Sequence, residues 1–200
     1  NILDWDAERV IEKRTTNSVC KNNNSFRVLF IGKDGKRKGL GRLVKAISIL
    51  QHRGRNVSLD IVGPKVWELP DKGYFRFHGP ISKTTNWKKL ESLFISCDLG
   101  ALPSYEEALG IAALEYVRCG ILVLVTNTGG LGESVPAKSR VLLPRNAEAE
   151  YLADSIENLL VNECLFYNLN MGALESSKLA SWDRAVHEIG SAWPRESSRS

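Results

Sequence analysis

The sequence predicts an α/β domain built on a doubly wound parallel sheet. Short, continuous apolar runs alternate with segments of helical period. The runs end in loops rich in glycine, hydroxyl or charge. The composition, 43% hydrophobic and 25% charged over 200 residues, suits one domain able to bury its own core.

Residues 1–25 are polar, with a short helix over 6–13 and an Asn-rich loop at 21–25, and they read as a lead-in. The compact domain is expected over 26–190, followed by a flexible tail at 191–200. The strand at 27–31 contains Val28-Leu-Phe-Ile31 and has no alternation, as a strand covered on both faces requires. A helix over 40–52, a strand at 58–62 and a short strand at 75–77 follow. Helix 87–96, strand 99–102, helix 109–118 and strand 121–125 continue the alternation. A short strand at 140–143 and helices over 148–161 and 163–179 complete it.

The net charge of +4 is modest, and the basic residues are dispersed except at 33–42, so no nucleic-acid partner is expected. Cys20, Cys97, Cys119 and Cys164 form no CxxC pair and read as reduced thiols. His52, His78 and His187 are scattered, so no metal or other cofactor is expected. Asn23 and Asn56 begin Asn-x-Ser sequons, a pattern common by chance. The longest apolar run, 119–125, is too short to span a bilayer and no leader peptide is visible. A cytoplasmic domain is the expectation, with any contact to the inner face of a membrane made peripherally.

In an open parallel sheet, ligands bind beyond the carboxyl ends of the strands. Four loops are expected to share that edge: 32–39, Gly63-Pro64, 103–107 and 126–130. The first places lysines and glycines before a helix, which suits a phosphate, although a solvated charge run reads the same way. It contains neither the Walker pattern nor GxGxxG. Thr126-Asn-Thr-Gly-Gly130 is either a turn or a backbone cradle. In Pro103-Ser-Tyr-Glu-Glu-Ala-Leu-Gly-Ile-Ala-Ala-Leu-Glu115, Glu107 precedes the expected helix and Glu115 lies within it, about 12 Å apart at ~1.5 Å rise per residue. Between them, N–H groups at the helix start are open to anionic oxygens. Two carboxylates flanking such a site match the polarity order of a sugar nucleotide, and also describe two exposed glutamates on an Ala-rich helix.

Pro103-Ser104, Glu107-Ala-Leu-Gly110 and Glu115 resemble the P-S-x-x-E-G-F-G-x-x-x-x-E signature, with its E-x7-E glutamates, of retaining glycosyltransferases of family 4. Phe30-Ile-Gly-Lys33 with Lys38-Gly39 resembles that family's F-V-G-R and K-G. Asp60-Ile-Val-Gly63, Thr128-Gly-Gly130 with Glu133, and Ser181-Trp182 match further motifs in order. The resemblance implies a GT-B fold, of which this chain is the Rossmann-like, C-terminal donor domain. It also implies a partner half, the N-terminal acceptor domain, in the same or a separate chain and able to contact a membrane.

By position, the resemblance assigns Lys33 and Lys38 to the diphosphate of a nucleoside diphosphate sugar and Glu107 to the sugar hydroxyls, the three expected catalytic residues. Glu115 falls to the ribose. The N–H groups of Leu109, Gly110 and Ile111 and the loop residues Gly32, Gly63, Thr128, Gly129 and Gly130 complete the substrate-binding set. Ala108-Leu109 stands where the family has Gly-Phe, and Lys33 gives up the guanidinium fork of the commoner Arg. The expected activity is transfer of a hexosyl group to an acceptor hydroxyl with retention. The alternatives are a non-catalytic sugar-nucleotide-binding module, half of a split enzyme, and, more weakly, a nucleotide-sugar epimerase.

Overall fold

The computed structural model describes residues 4–18, 25–68 and 72–179. The expectations for Cys20, the Asn23 sequon, Ser181-Trp182, His187 and the tail fall outside them. Helix α1 (Asp4–Ser18) leads into β1 (Phe26–Ile31), α2 (Leu40–His52), β2 (Val57–Val62), β3 (Phe75–Gly79), α3 (Trp87–Ser96) and β4 (Leu99–Leu102). Then come α4 (Ile111–Arg118), β5 (Val123–Thr126), the short α5 (Leu131–Ser134), a 3-10 turn (Ala137–Ser139), β6 (Arg140–Leu143), α6 (Ala149–Val161) and α7 (Glu163–Leu179).

The strands form one sheet in the order β3-β2-β1-β4-β5-β6, and every neighbouring pair is parallel. The order in which strands are added therefore reverses between β1 and β4, where Val28 pairs with Leu99. That is the switch point at which an open α/β sheet leaves a crevice. The apolar runs are buried as their lack of alternation requires: Val28, Leu29, Phe30 and 121–125 have no exposed surface. Helices α2 and α6, α4 and α7, and α1 and α3 pack in pairs around the sheet.

Besides the unexpected α5 and 3-10 turn, three differences from the expectations bear on packing and on the site. Helix α1 is longer than 6–13 and joins the core through Ala7 and Val10. Its Arg9 and Lys13 both reach Glu91 of α3, at 2.9 Å each, and Arg14 donates to the carbonyls of Phe94 and Cys97 at 2.8 and 2.6 Å, satisfying the end of α3. Burial pushes the Glu91 carboxyl up, but its bonds to Lys13 and Arg9 leave it below the ordinary value. Second, α4 starts at Ile111 rather than 109, because Gly110 sits at φ 75°, ψ 46° and ends the preceding loop. Third, β5 begins at Val123 and runs to Thr126.

Asp60 ties the edge strand β3 to β2. Arg76 donates to its two oxygens at 2.8 and 2.9 Å, and the His78 ring nitrogen lies 2.7 Å away. Burial pushes the Asp60 carboxyl up, and the bonds from Arg76 and His78 more than reverse this, leaving it below the usual value. Cys97, Cys119 and Cys164 are free thiols, and burial raises that of Cys119 far above its ordinary range. Among the described residues no three His, Cys, Asp or Glu side chains gather as a metal site, and no helix is long and apolar enough to cross a membrane.

Candidate functional site

The crevice beyond β1 and β4 is framed by a buried cation. Arg42, in the first turn of α2, is 4% exposed. Its Nε and Nη2 donate to the Pro103 carbonyl at 3.0 and 2.7 Å, and Nη2 also to Ser104 O at 3.0 Å. Its Nη1 donates to the carbonyls of Ala147 and Arg145 at 2.8 and 3.3 Å. The guanidinium lies 4.0 Å from the Tyr105 ring centroid. Burial lowers its pKa, against the opposing influence of Tyr105 and Glu148. One side chain thus fixes the loops after β4 and β6 to the helix that follows β1.

The loop after β1 folds into tight turns: Asp34 O accepts from Lys38 N at 3.0 Å, and Asp34 Oδ1 from Arg37 N at 3.0 Å. This brings Lys38 to Glu107, and the two side chains form an ion pair, with exposures of only 14% and 10%. Arg37 stands 3.8 Å from the same carboxylate and donates to Glu106 O at 2.8 Å. Its own carbonyl accepts from Tyr105 N at 2.9 Å. The loops after β1 and β4 are therefore joined by both backbone and charge.

The other predicted residues divide into those that meet this pair and those that do not. Gly129, at φ 51°, lies so close to the Glu107 carbonyl that a Cβ would come within 1.6 Å of it. Gly130 similarly faces Ala108 O, to which its N–H donates at 2.9 Å. Thr128 spends its hydroxyl on Tyr105 O at 3.0 Å. The 128–130 turn thus supports the Glu107 loop from below. Gly63 lies against the Gly32 carbonyl and keeps the ends of β1 and β2 in contact. Leu109 and Ile111, each 51% exposed, flank Gly110 at the mouth of the crevice. Lys33 is exposed, and no ion pair engages it among the described residues. Glu115, 5% exposed, lies apart from the Lys38–Glu107 pair and is ion-paired to Lys83 in the loop after β3.

A cavity of about 410 Å³ opens beside Glu107, lined among others by Arg37, Glu106, Thr128, Gly129 and Arg145. Arg42, Lys83, Arg37 and Arg145 are the residues that sequence reasoning missed. Arg42 looks like any basic residue on an amphipathic helix, and Lys83 sits in an unremarked polar loop. The loop after β6, which brings Arg145, was not among the four expected at this edge.

Comparison with known proteins agrees with this fold. The family described as Glycosyl transferases group 1 matches residues 12–173. A D-inositol 3-phosphate glycosyltransferase of Arthrobacter sp. (strain FB24) is 28% identical over 174 residues, covering 80% of this chain and 40% of that protein. The solved structure of Anabaena HepE in complex with UDP and glucose superposes with a TM-score of 0.68 at 19% identity, over 92% of this chain and 52% of that one. The C-terminal domain of a glycosyl transferase group 1 family protein (LpcC) from Francisella tularensis superposes at 0.65 with 15% identity, over 84% of this chain and 91% of that domain. The chain thus spans less than half the length of its D-inositol 3-phosphate relative. In fold it is a Rossmann-like unit of GT-B type.

Proposed function

We propose, from the premise that the chain belongs to the Glycosyl transferases group 1 family, that it is the donor-binding, C-terminal domain of a retaining family 4 enzyme. That enzyme moves a hexosyl group from a nucleoside diphosphate to an acceptor hydroxyl, and the acceptor side of its cleft is supplied by another half. The observation that carries the reading is the Lys38–Glu107 pair at the switch point between β1 and β4. There an ammonium and a carboxylate lie next to the start of α4, with exposed Lys33 on the same loop as Lys38.

In the reaction, charge grows on the departing diphosphate, so stabilisation that strengthens with that charge is what accelerates transfer. Lys38 and Lys33 supply mobile cations, and the first N–H groups of α4 supply fixed donors. Glu107, released from Lys38, accepts from sugar hydroxyls. Glu115, oriented by Lys83, accepts from the ribose. Their role is to position the donor, and neither is assigned as a nucleophile. The UDP in the HepE complexes makes uracil the first base to test.

A second reading concerns what this domain does by itself. It is a binding module that holds the sugar nucleotide without transferring from it alone. Titrating the purified chain with UDP, GDP and ADP and their sugar conjugates, by calorimetry, tests the donor site directly. Selective binding of one base series is the expected result, and no binding of any series at millimolar ligand defeats the assignment. Transfer by the chain alone would then remove the second reading.

A further inference from the structure

We infer that the cavity beside Glu107 is a subsite for an acidic sugar or polyol, one that carries a carboxylate or phosphate in addition to its hydroxyls. This rests on the donor-site reading, since it places an anionic group next to the position given to the transferred sugar.

The cavity of about 410 Å³ has room for a monosaccharide and its substituent, and its lining alternates in charge. The lining residues include two acids, Glu106 and Glu107, and two arginines, Arg37 and Arg145. Glu107 is already neutralised by Lys38. Arg37 has Nη1 on Glu106 O at 2.8 Å and Nε 3.7 Å from Asp34, so it is partly engaged. Among the described residues no hydrogen bond or ion pair engages the Arg145 guanidinium.

Both arginines are exposed, and both rise from held backbone. Arg37 N donates to Asp34 at 3.0 Å and Arg37 O accepts from Tyr105 at 2.9 Å. Arg145 O accepts from buried Arg42 at 3.3 Å, and the adjoining turn is closed by Ala147 N donating to Pro144 O at 3.0 Å. A neutral sugar would satisfy the glutamates and offer the exposed Arg145 hydroxyls but no opposite charge. A bare anion would satisfy Arg145 and meet two carboxylates. A ligand carrying hydroxyls and one anionic group satisfies both sets, and the planar fork of arginine suits carboxylate and phosphate oxygens.

The anion has two sources, a uronic acid on the donor or a phosphate on the acceptor, and the test separates them. The purified chain is titrated by heteronuclear NMR with glucose, glucuronate, glucose 6-phosphate and inorganic phosphate. Calorimetry then compares UDP-glucuronate with UDP-glucose, or GDP-mannuronate with GDP-mannose if guanine is the base bound. The expected result is binding of an acidic sugar about fivefold tighter than both its neutral counterpart and inorganic phosphate. Resonances of 128–130 and 145–147 should shift. A preference among the nucleotide conjugates identifies the donor as the source. A preference for glucose 6-phosphate that persists at saturating UDP identifies the acceptor.

Arg145→Gln should bring the ratio to about one, and Arg145→Lys should keep part of it, which separates charge from folding. Equal affinities for acidic and neutral ligands, or a preference unchanged in Arg145→Gln, overturn the inference. Nucleotide binding without the preference sinks the subsite alone. The preference among free sugars without nucleotide binding sinks the donor reading and leaves the subsite standing.

Discussion

Asp60 and Glu107 are both largely buried carboxylates within hydrogen-bonding reach of cations, and they are paired in opposite ways. Asp60 lies within a strand and receives both arms of Arg76, with His78 as a third partner, all from the adjoining strand. Glu107 lies in a loop and receives the ammonium of Lys38, with Arg37 at 3.8 Å. A guanidinium fork fixed by two bonds has one geometry, whereas an ammonium on a flexible stem can move to another anion without disturbing its backbone. The first pair holds the edge of the sheet. The second is suited to exchange, with the ligand's phosphate taking the lysine and its hydroxyls taking the glutamate.

The harshest way to break the contrast is to push the Glu107 loop off its support. Gly129→Ala combines a left-handed backbone position with a Cβ placed 1.6 Å from the Glu107 carbonyl. It should cost about 3 kcal/mol in urea denaturation and abolish nucleotide binding. An unchanged midpoint would show that the loop is not seated as described.

Asp60→Asn should cost about 2 kcal/mol while leaving nucleotide affinity intact, since the charged bonds it removes run to Arg76 and His78 of β3 and to none of the crevice residues. The sign of its pH dependence follows from the lowered carboxyl: the stabilisation is present above the unfolded value of 3.8 and is lost as pH falls through the lower folded one. The gap between wild type and variant, followed by denaturation from pH 7 downward, should therefore close below about pH 4. A gap constant to pH 2 would show that the Asp60 charge is not what holds β3.

Lys38→Met should lower sugar-nucleotide affinity about tenfold, or ~1.4 kcal/mol, in calorimetry, with a smaller effect on stability. If stability fell as far as in Asp60→Asn while affinity held, the two pairs would be of one kind. The smallest effect is expected at Arg53, whose bonds to Glu150, Asp154 and Glu157 all lie at the surface. Arg53→Ala should lower the thermal midpoint slightly, the shift should shrink in added salt, and ligand binding should be unaffected.

The same contrast explains what could be read in advance. Strand and helix identities follow from local apolar period, so the alternation, and the loops after β1 and β4 at one edge, were legible from residues such as Val28-Leu-Phe-Ile31 and Gly32-Lys33. The start of α4 was not, because Gly110 suits both a helix and the left-handed turn it adopts, and only its seat against Leu131 decides. Ala7 and Val10 are too few apolar residues to announce that α1 joins the core. Arg42 was invisible for a related reason. Its five bonds go to backbone carbonyls in segments at 103–104 and 145–147, and carbonyls leave no mark in a sequence.

That last feature also bears on how such a domain can change over generations. Because Arg42 grips main-chain oxygens, its bonds do not depend on the exposed side chain at 145, which can change while the loop keeps its course. Variation at Arg145 and its neighbours can redraw what the cavity accepts on a frame that stays in place. One inherited arginine thus separates the persistence of the scaffold from the turnover of its preferences.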